Sequence, residues 1–145
     1  MDPRIRLAEV TPTEIDRATL SGLVDRPEAG AVTVFDGRVR DNDPQADGEV
    51  VGLVYSAHPT ASERLVEIVA AALAEADARG ETVVAVAHRV GHLDVGDTAF
   101  MVAVSAAHRR QTFEVCELIV ERVKQELPIW KQQFEADGSY RWSGL

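Results

Sequence analysis

The run Thr82-Val83-Val84-Ala85-Val86-Ala87-His88-Arg89-Val90, followed by Thr98-Ala99-Phe100-Met101-Val102-Ala103-Val104-Ser105-Ala106, decides the fold of this 145-residue chain. Both runs are rich in β-branched residues and have strand length, and Gly91 to Gly96 supplies the connection between them. So short a link cannot carry a parallel crossover, which leaves a long hairpin. A second strand pair, Ile129 to Phe134 and Tyr140 to Trp142, is joined across Ala136-Asp137-Gly138, and an Asp-Gly step is a hairpin signal. The strands do not alternate strictly with helices. The expected class is therefore α+β with a mainly antiparallel sheet, not a doubly wound one.

Around these strands the helices announce themselves by period. Ala61, Leu65, Ile68, Val69, Ala72, Leu73 and Ala76 recur at helical spacing between His58-Pro59-Thr60 and Arg79, with Gly80 placed as a C-cap. A second long helix is expected from His108 to Glu126, with Phe113, Cys116, Ile119, Val120 and Val123 inward and Pro128 ending it. Upstream, Arg4 to Val10 reads as a half-buried strand, and Thr11-Pro12-Thr13-Glu14 opens a short helix to about Val24 with Ile15, Leu20, Leu23 and Val24 apolar. Ala31 to Val39 and Val50 to Ala57 read as strands. The acidic segment Asp41 to Gly48 between them reads as an exposed loop. No linker or repeat divides the chain, so residues 1–145 are expected to form one domain.

The formal net charge of −9 excludes broad binding to nucleic acid or to anionic membrane, since both need excess positive charge. An anion must be captured locally. Cys116 is the sole cysteine, which rules out an internal disulfide and fits a reducing cytoplasm. No apolar run is long enough to cross a bilayer.

Against that acidic background the basic residues are informative. Thirteen of the 15 are arginine, and the only two lysines, Lys124 and Lys131, flank Leu127-Pro128-Ile129-Trp130. Lysine is compact and its amine can be deprotonated, unlike a guanidinium, so this placement points to chemistry. The plainer alternative is a cation complementing a helix C-terminus and another on a solvated strand. Arg38 and Arg40 share a strand face by alternation, and His108, Arg109 and Arg110 stand where a helix start offers free N–H groups to an anion. Simple capping by Ser105 or His108 is the competing reading. His88 and His92 would lie roughly 13 Å apart on one extended strand, and no further ligand pattern accompanies them, so no metal is expected. No phosphate loop and no serine-hydrolase turn is present.

Taken in order, Gly30-Ala31-Val32-Thr33-Val34-Phe35-Asp36-Gly37-Arg38-Val39-Arg40-Asp41, His88-Arg89-Val90-Gly91, Val104-Ser105-Ala106-Ala107-His108-Arg109 and Leu127-Pro128-Ile129-Trp130-Lys131 resemble the large, catalytic subunit of molybdopterin synthase, the MoaE family. The resemblance implies an α/β hammerhead fold with two long helices and a small C-terminal β segment. It implies a homodimer, with a small ubiquitin-like sulfur-carrier subunit at each end making a heterotetramer. It also implies sulfur transfer from the carrier's thiocarboxylated C-terminus to cyclic pyranopterin monophosphate, forming the dithiolene of molybdopterin with no resident cofactor. Carried over, Arg40, His108 and Arg109 would hold the pterin phosphate, Lys124 would meet the carrier's terminal carbonyl, and Lys131 would help place the pterin. Arg38 and Arg110 are secondary candidates. Which lysine serves as acid and which as base is left open.

Ser56 and His58 stand where relatives commonly have Glu and Tyr, Asp36 stands where an apolar or small residue is usual, and many relatives continue past the equivalent of Leu145 with a charged tail. These departures keep a second class of function in view, a non-catalytic paralogue that binds the carrier or a phosphorylated pterin.

Overall fold

A computed structural model describes residues 1–42 and 48–144, so most of the loop expected between Asp41 and Gly48 lies outside the described residues. In chain order the elements are β1 (Ile5–Thr11), α1 (Arg17–Val24), β2 (Ala31–Arg38), β3 (Val50–Ala57), α2 (Ala61–Ala76), β4 (Val83–Arg89), β5 (Gly91–Asp94), β6 (Thr98–Ala106), α3 (Arg109–Glu126), β7 (Ile129–Glu135) and β8 (Tyr140–Gly144).

The chain is α+β, but its strands form two sheets rather than one, in the orders β1-β4-β6-β2 and β5-β3-β7-β8. The deciding hairpin is present: β4 and β6 run antiparallel with Val83 opposite Ser105 and His88 opposite Phe100. The C-terminal hairpin pairs β7 with β8, Phe134 facing Tyr140. Only β1 departs from the antiparallel pattern among the described strands, lying parallel to β4 with Val10 beside His88.

The link from Gly91 to Gly96, expected as a turn, contains β5. This strand leaves the first sheet and pairs with β3, setting Gly91 opposite Tyr55 and Leu93 opposite Leu53. Gly91 makes the switch at φ +96°, a backbone conformation that side chains with a Cβ rarely adopt. A four-residue strand with Leu93 as its one buried side chain carries too little alternation to be read from sequence.

Alternation along β4 and β6 divides the interior. Val84, Val86, Phe100, Val102 and Val104 pack against α2 and α3 through Leu65, Ile68, Ile119 and Val123. Their neighbours Val83, Ala85, Ala87, Met101 and Ala103 pack against α1 through Leu20 and Val24. With helices over both faces, the central strands have no solvated side, which is why they read as unbroken apolar runs. A smaller cluster of Val39, Leu53, Leu93 and Ala99 joins the two sheets.

Three expectations are corrected. Phe113 is not inward but 58% exposed, and Leu23 is 39% exposed, because the buried stripes of α3 and α1 are narrower than the runs of apolar residues in them. The helix α2 ends at Ala76, not Arg79. Asp77 stops it by turning its carboxylate onto the N–H groups of Glu81 (2.8 Å) and Thr82 (2.9 Å), a local alternative to further helix. Gly80 does adopt φ +71°, but in the turn beyond the cap.

Candidate active site

Pro128 has no N–H with which to continue α3, so the chain leaves the helix at Leu127 and enters β7 at Ile129. Lys124 is in the last turn of α3, and Lys131 is in β7 directly opposite Tyr55 of β3. The turn thereby brings both lysines to one cleft of about 310 Å³, shared with Arg38, Arg40, Tyr55, His88, Phe100 and Gln133. Phe100, buried at the end of the deciding hairpin, and Leu53 and Ala99 from the junction between the sheets form its apolar wall.

Arg38 and Arg40 reach the cleft by a different route from the one alternation suggested. The β2–β6 register shifts between Gly37 and Arg38, the strand ends at Arg38, and Arg40 lies beyond it. The two arginines also differ in what holds them. Arg38 donates from Nε to Asp36 Oδ2 at 3.1 Å, and the same carboxylate takes Arg17 at 2.7 Å and the Thr98 hydroxyl at 2.8 Å. Burial would raise the Asp36 pKa, but the hydrogen bonds from Thr98, Arg17 and Arg38 outweigh it and hold the carboxyl below its ordinary value. Arg38 is therefore tethered to a carboxylate, while Arg40 has no hydrogen-bonded or ionic partner among the described residues.

His108, Arg109 and Arg110 lie elsewhere in the single chain. His108 is the N-cap residue of α3 without a side-chain capping bond, and all three are exposed. Ser105 is not the cap either, since its hydroxyl donates to the Val24 carbonyl at 2.6 Å. Fifteen residues of α3 separate Arg109 from Lys124, roughly 22 Å along the axis, farther than the two side chains can bridge. One chain thus presents two basic clusters, one at each end of α3, and Arg110 is engaged with Glu114 at 3.0 Å.

Two cleft residues had no site role in the sequence reading. His88 is 2% exposed, stacks on Phe100 with ring centroids 5.4 Å apart, and meets Tyr55 edge-on at 5.0 Å. Its Nδ1 donates to the Arg89 carbonyl at 2.9 Å. Burial pushes its pKa down to about 4, against a smaller opposing effect of that hydrogen bond, so the ring is neutral near pH 7. Burial also pushes the Tyr55 phenol up to about 12, so it too is neutral. The available signal was a polar ring inside the apolar run of β4. His92, by contrast, pairs with Asp94 at 3.0 Å on exposed β5, and among the described residues no group of three or more His, Cys, Asp or Glu is arranged to hold a metal.

The residues that depart from the family pattern stand off the cleft. Ser56 is exposed opposite Trp130, on the β3 face opposite to that of Tyr55. His58 Nδ1 accepts the Thr60 N–H at 3.2 Å where α2 begins. Asp36 acts on the cleft only through Arg38.

The MoaE protein family matches residues 10–126 of the chain. The molybdopterin synthase catalytic subunit of Bacillus subtilis is 38% identical over 139 residues, 94% of this chain and 83% of that one. The molybdopterin synthase catalytic subunit 1 of Mycobacterium tuberculosis is 35% identical over 143 residues, 98% of this chain and 91% of its own. Among solved structures, molybdopterin synthase from Staphylococcus aureus superposes with a TM-score of 0.83 at 30% identity, covering 94% of this chain and 96% of that one. With the fold, the two-lysine cleft and these likenesses in agreement, the chain belongs to the MoaE family of molybdopterin synthase catalytic subunits.

Proposed function

We propose that the cleft transfers sulfur from the thiocarboxylated C-terminus of a small ubiquitin-like carrier to cyclic pyranopterin monophosphate, twice, to form the dithiolene of molybdopterin. The observation that carries this reading is the convergence of Lys124 and Lys131 on one cleft with Arg40. The carrier's extended Gly-Gly tail enters this cleft, and Lys124 at the helix end meets its terminal carbonyl. The thiocarboxylate sulfur bonds to a pterin carbon, water adds to the carbonyl of the resulting thioester, and the ammonium stabilises the oxyanion of that tetrahedral intermediate. Its collapse breaks the carbon–sulfur bond, leaving sulfur on the pterin and a carboxylate on the carrier. Arg40 supplies a guanidinium fork for the phosphate, and Lys131 on β7 helps place the pterin. The sulfur arrives on the carrier, so the site needs no resident cofactor, and the reaction belongs in the cytoplasm.

A single-turnover assay with thiocarboxylated carrier and cyclic pyranopterin monophosphate tests this directly. Dithiolene product is expected, whereas binding of both partners without product would make the chain the non-catalytic module. Within this reading the two arginines are unequal. Arg40→Ala should weaken binding of the pterin phosphate by about 1.5–3 kcal/mol, the scale of a charge-assisted hydrogen bond, and Arg38→Ala by less because Asp36 already holds Arg38. Calorimetry giving equal losses would show that the tether does not matter.

The functional unit in this proposal is a homodimer. His108 and Arg109 are too far from Lys124 to serve the same pterin within one chain, so a second copy brings its α3 N-terminus to the cleft and adds them to the phosphate site. Edge strand β8 and exposed Trp130, Tyr140 and Trp142 on one face of the second sheet provide surface for that association. Sedimentation should find a dimer. Mixing Lys124→Ala with Arg109→Ala subunits should restore part of the activity that each lacks alone, since a mixed dimer has one complete site. No restoration, with mixed dimers shown to form, would mean that Arg109 acts on its own chain or not at all.

A further inference from the structure

Every charged side chain in the cleft is a donor. Arg38, Arg40, Lys124 and Lys131 suit a phosphate and a carbonyl, but none of them accepts a hydrogen bond. The proposed substrates bring donors as well. A reduced pterin carries ring N–H groups, and each residue of a glycine tail carries an amide N–H. Besides the Tyr55 hydroxyl and the Gln133 amide oxygen the cleft's polar side chains offer them little to donate to, and a buried N–H left unpaired costs about as much as the bond it gave up in water.

His88 has the form of such an acceptor. A carbonyl can only accept, so the 2.9 Å contact with Arg89 O puts the proton on Nδ1 and leaves the lone pair on Nε2. No side chain donates to Nε2 among the described residues. The ring is held by Phe100 stacked on its face, by Tyr55 in a T-shaped contact and by its own strand's carbonyl, so the lone pair has a fixed direction. His88 is 2% exposed and lines the cleft, so a ligand that donates to Nε2 would have to reach it through the cavity rather than from the outer surface.

The geometry points to His88 Nε2 as an uncharged acceptor of fixed direction in the site, taking a hydrogen bond from an N–H of the bound substrate. The inference rests on the sulfur-transfer reading for the identity of the ligands. Two sources share the required chemistry, a ring N–H of the pterin and a peptide N–H of the carrier tail.

The long-range ¹H–¹⁵N spectrum of the wild-type protein tests it. Free protein should show His88 protonated at Nδ1 and bare at Nε2. Saturation with cyclic pyranopterin monophosphate should move the Nε2 resonance upfield if the pterin is the donor, and saturation with unactivated carrier ending in Gly-Gly should do so if the tail is. Two variants give an independent readout. His88→Asn keeps a donor for Arg89 O but loses the distal acceptor, and should weaken the responsible ligand roughly 3- to 10-fold, the range of an uncharged hydrogen bond. His88→Gln places an amide oxygen near the Nε2 position and should recover most of that loss, which a purely structural role for the ring would not produce. If both ligands bind wild type and Nε2 moves with neither, the assignment is wrong while the sulfur-transfer reading stands. If neither ligand binds wild type, both fall.

Discussion

Lys124→Ala is expected to lower the single-turnover rate of dithiolene formation by about 100-fold or more, the scale of removing a donor from an oxyanion site. The fold should hardly change. Lys124 is exposed in the last turn of α3, has no hydrogen-bonded or ionic partner among the described residues, and contributes there only the few tenths to about 1 kcal/mol of a cation at a helix C-terminus. Carrier docking should survive too, because in the proposed arrangement Lys124 would meet only the end of the tail. Lys124→Arg separates charge from proton transfer and size. A guanidinium keeps the charge but is planar, larger and does not give up a proton, so activity should not return. Lys131→Ala should also lose turnover, with half-sulfurated intermediate accumulating, since the proposal puts this residue nearer the pterin. Near-wild-type product formation by Lys124→Ala with saturating thiocarboxylated carrier would remove Lys124 from the chemistry.

Asp77→Ala should be the most destabilising of the changes considered, by about 3 kcal/mol in urea unfolding, because it removes the shared partner of several buried donors. The Asp77 side chain is 4% exposed and takes the N–H groups of Glu81 and Thr82, the Thr82 hydroxyl at 2.6 Å and Arg4 Nη1 at 3.1 Å. Without it Thr82, 1% exposed, keeps polar groups with no replacement. Burial acts to raise the Asp77 pKa, but the hydrogen bonds from Thr82, Glu81 and Arg4 prevail and lower it below its ordinary value. The sign of the pH effect follows. A depressed folded-state pKa means that the unfolded chain binds the proton more readily, so the contribution is complete above the unfolded value near pH 4 and disappears as pH falls through the folded one. The difference between wild type and Asp77→Ala should therefore be largest near neutrality and shrink in acid. A difference independent of pH down to the acid transition would show that packing, not the carboxylate, holds this corner.

Asp77 also marks a limit of periodicity. The apolar spacing of α2 continues through Ala76 and gives no sign that the next side chain will draw the chain out of the helix, because the groups it binds lie four and five residues ahead and at Arg4, just before β1.

What the sequence determined by itself was whatever depends on neighbours along the chain. The β-branched runs of β4 and β6 with a short link between them required an antiparallel hairpin, the period of Leu65 to Leu73 required a helix, and Pro128 required α3 to end between Lys124 and Lys131, which keeps the two lysines close along the chain. The motif order around them also pointed to the family. What only the tertiary structure decided depends on which element meets which. Gly91 sends four residues into a second sheet, and that brings Tyr55 against His88 and closes the cleft. The bulge after Gly37 hands Arg38 to Asp36 and leaves Arg40 without a partner among the described residues. The length of α3 holds Arg109 roughly 22 Å from Lys124 along the helix axis. Periodicity reports which side of an element is buried, but a cleft is made where different elements converge, and those distances are set by packing between residues far apart in sequence.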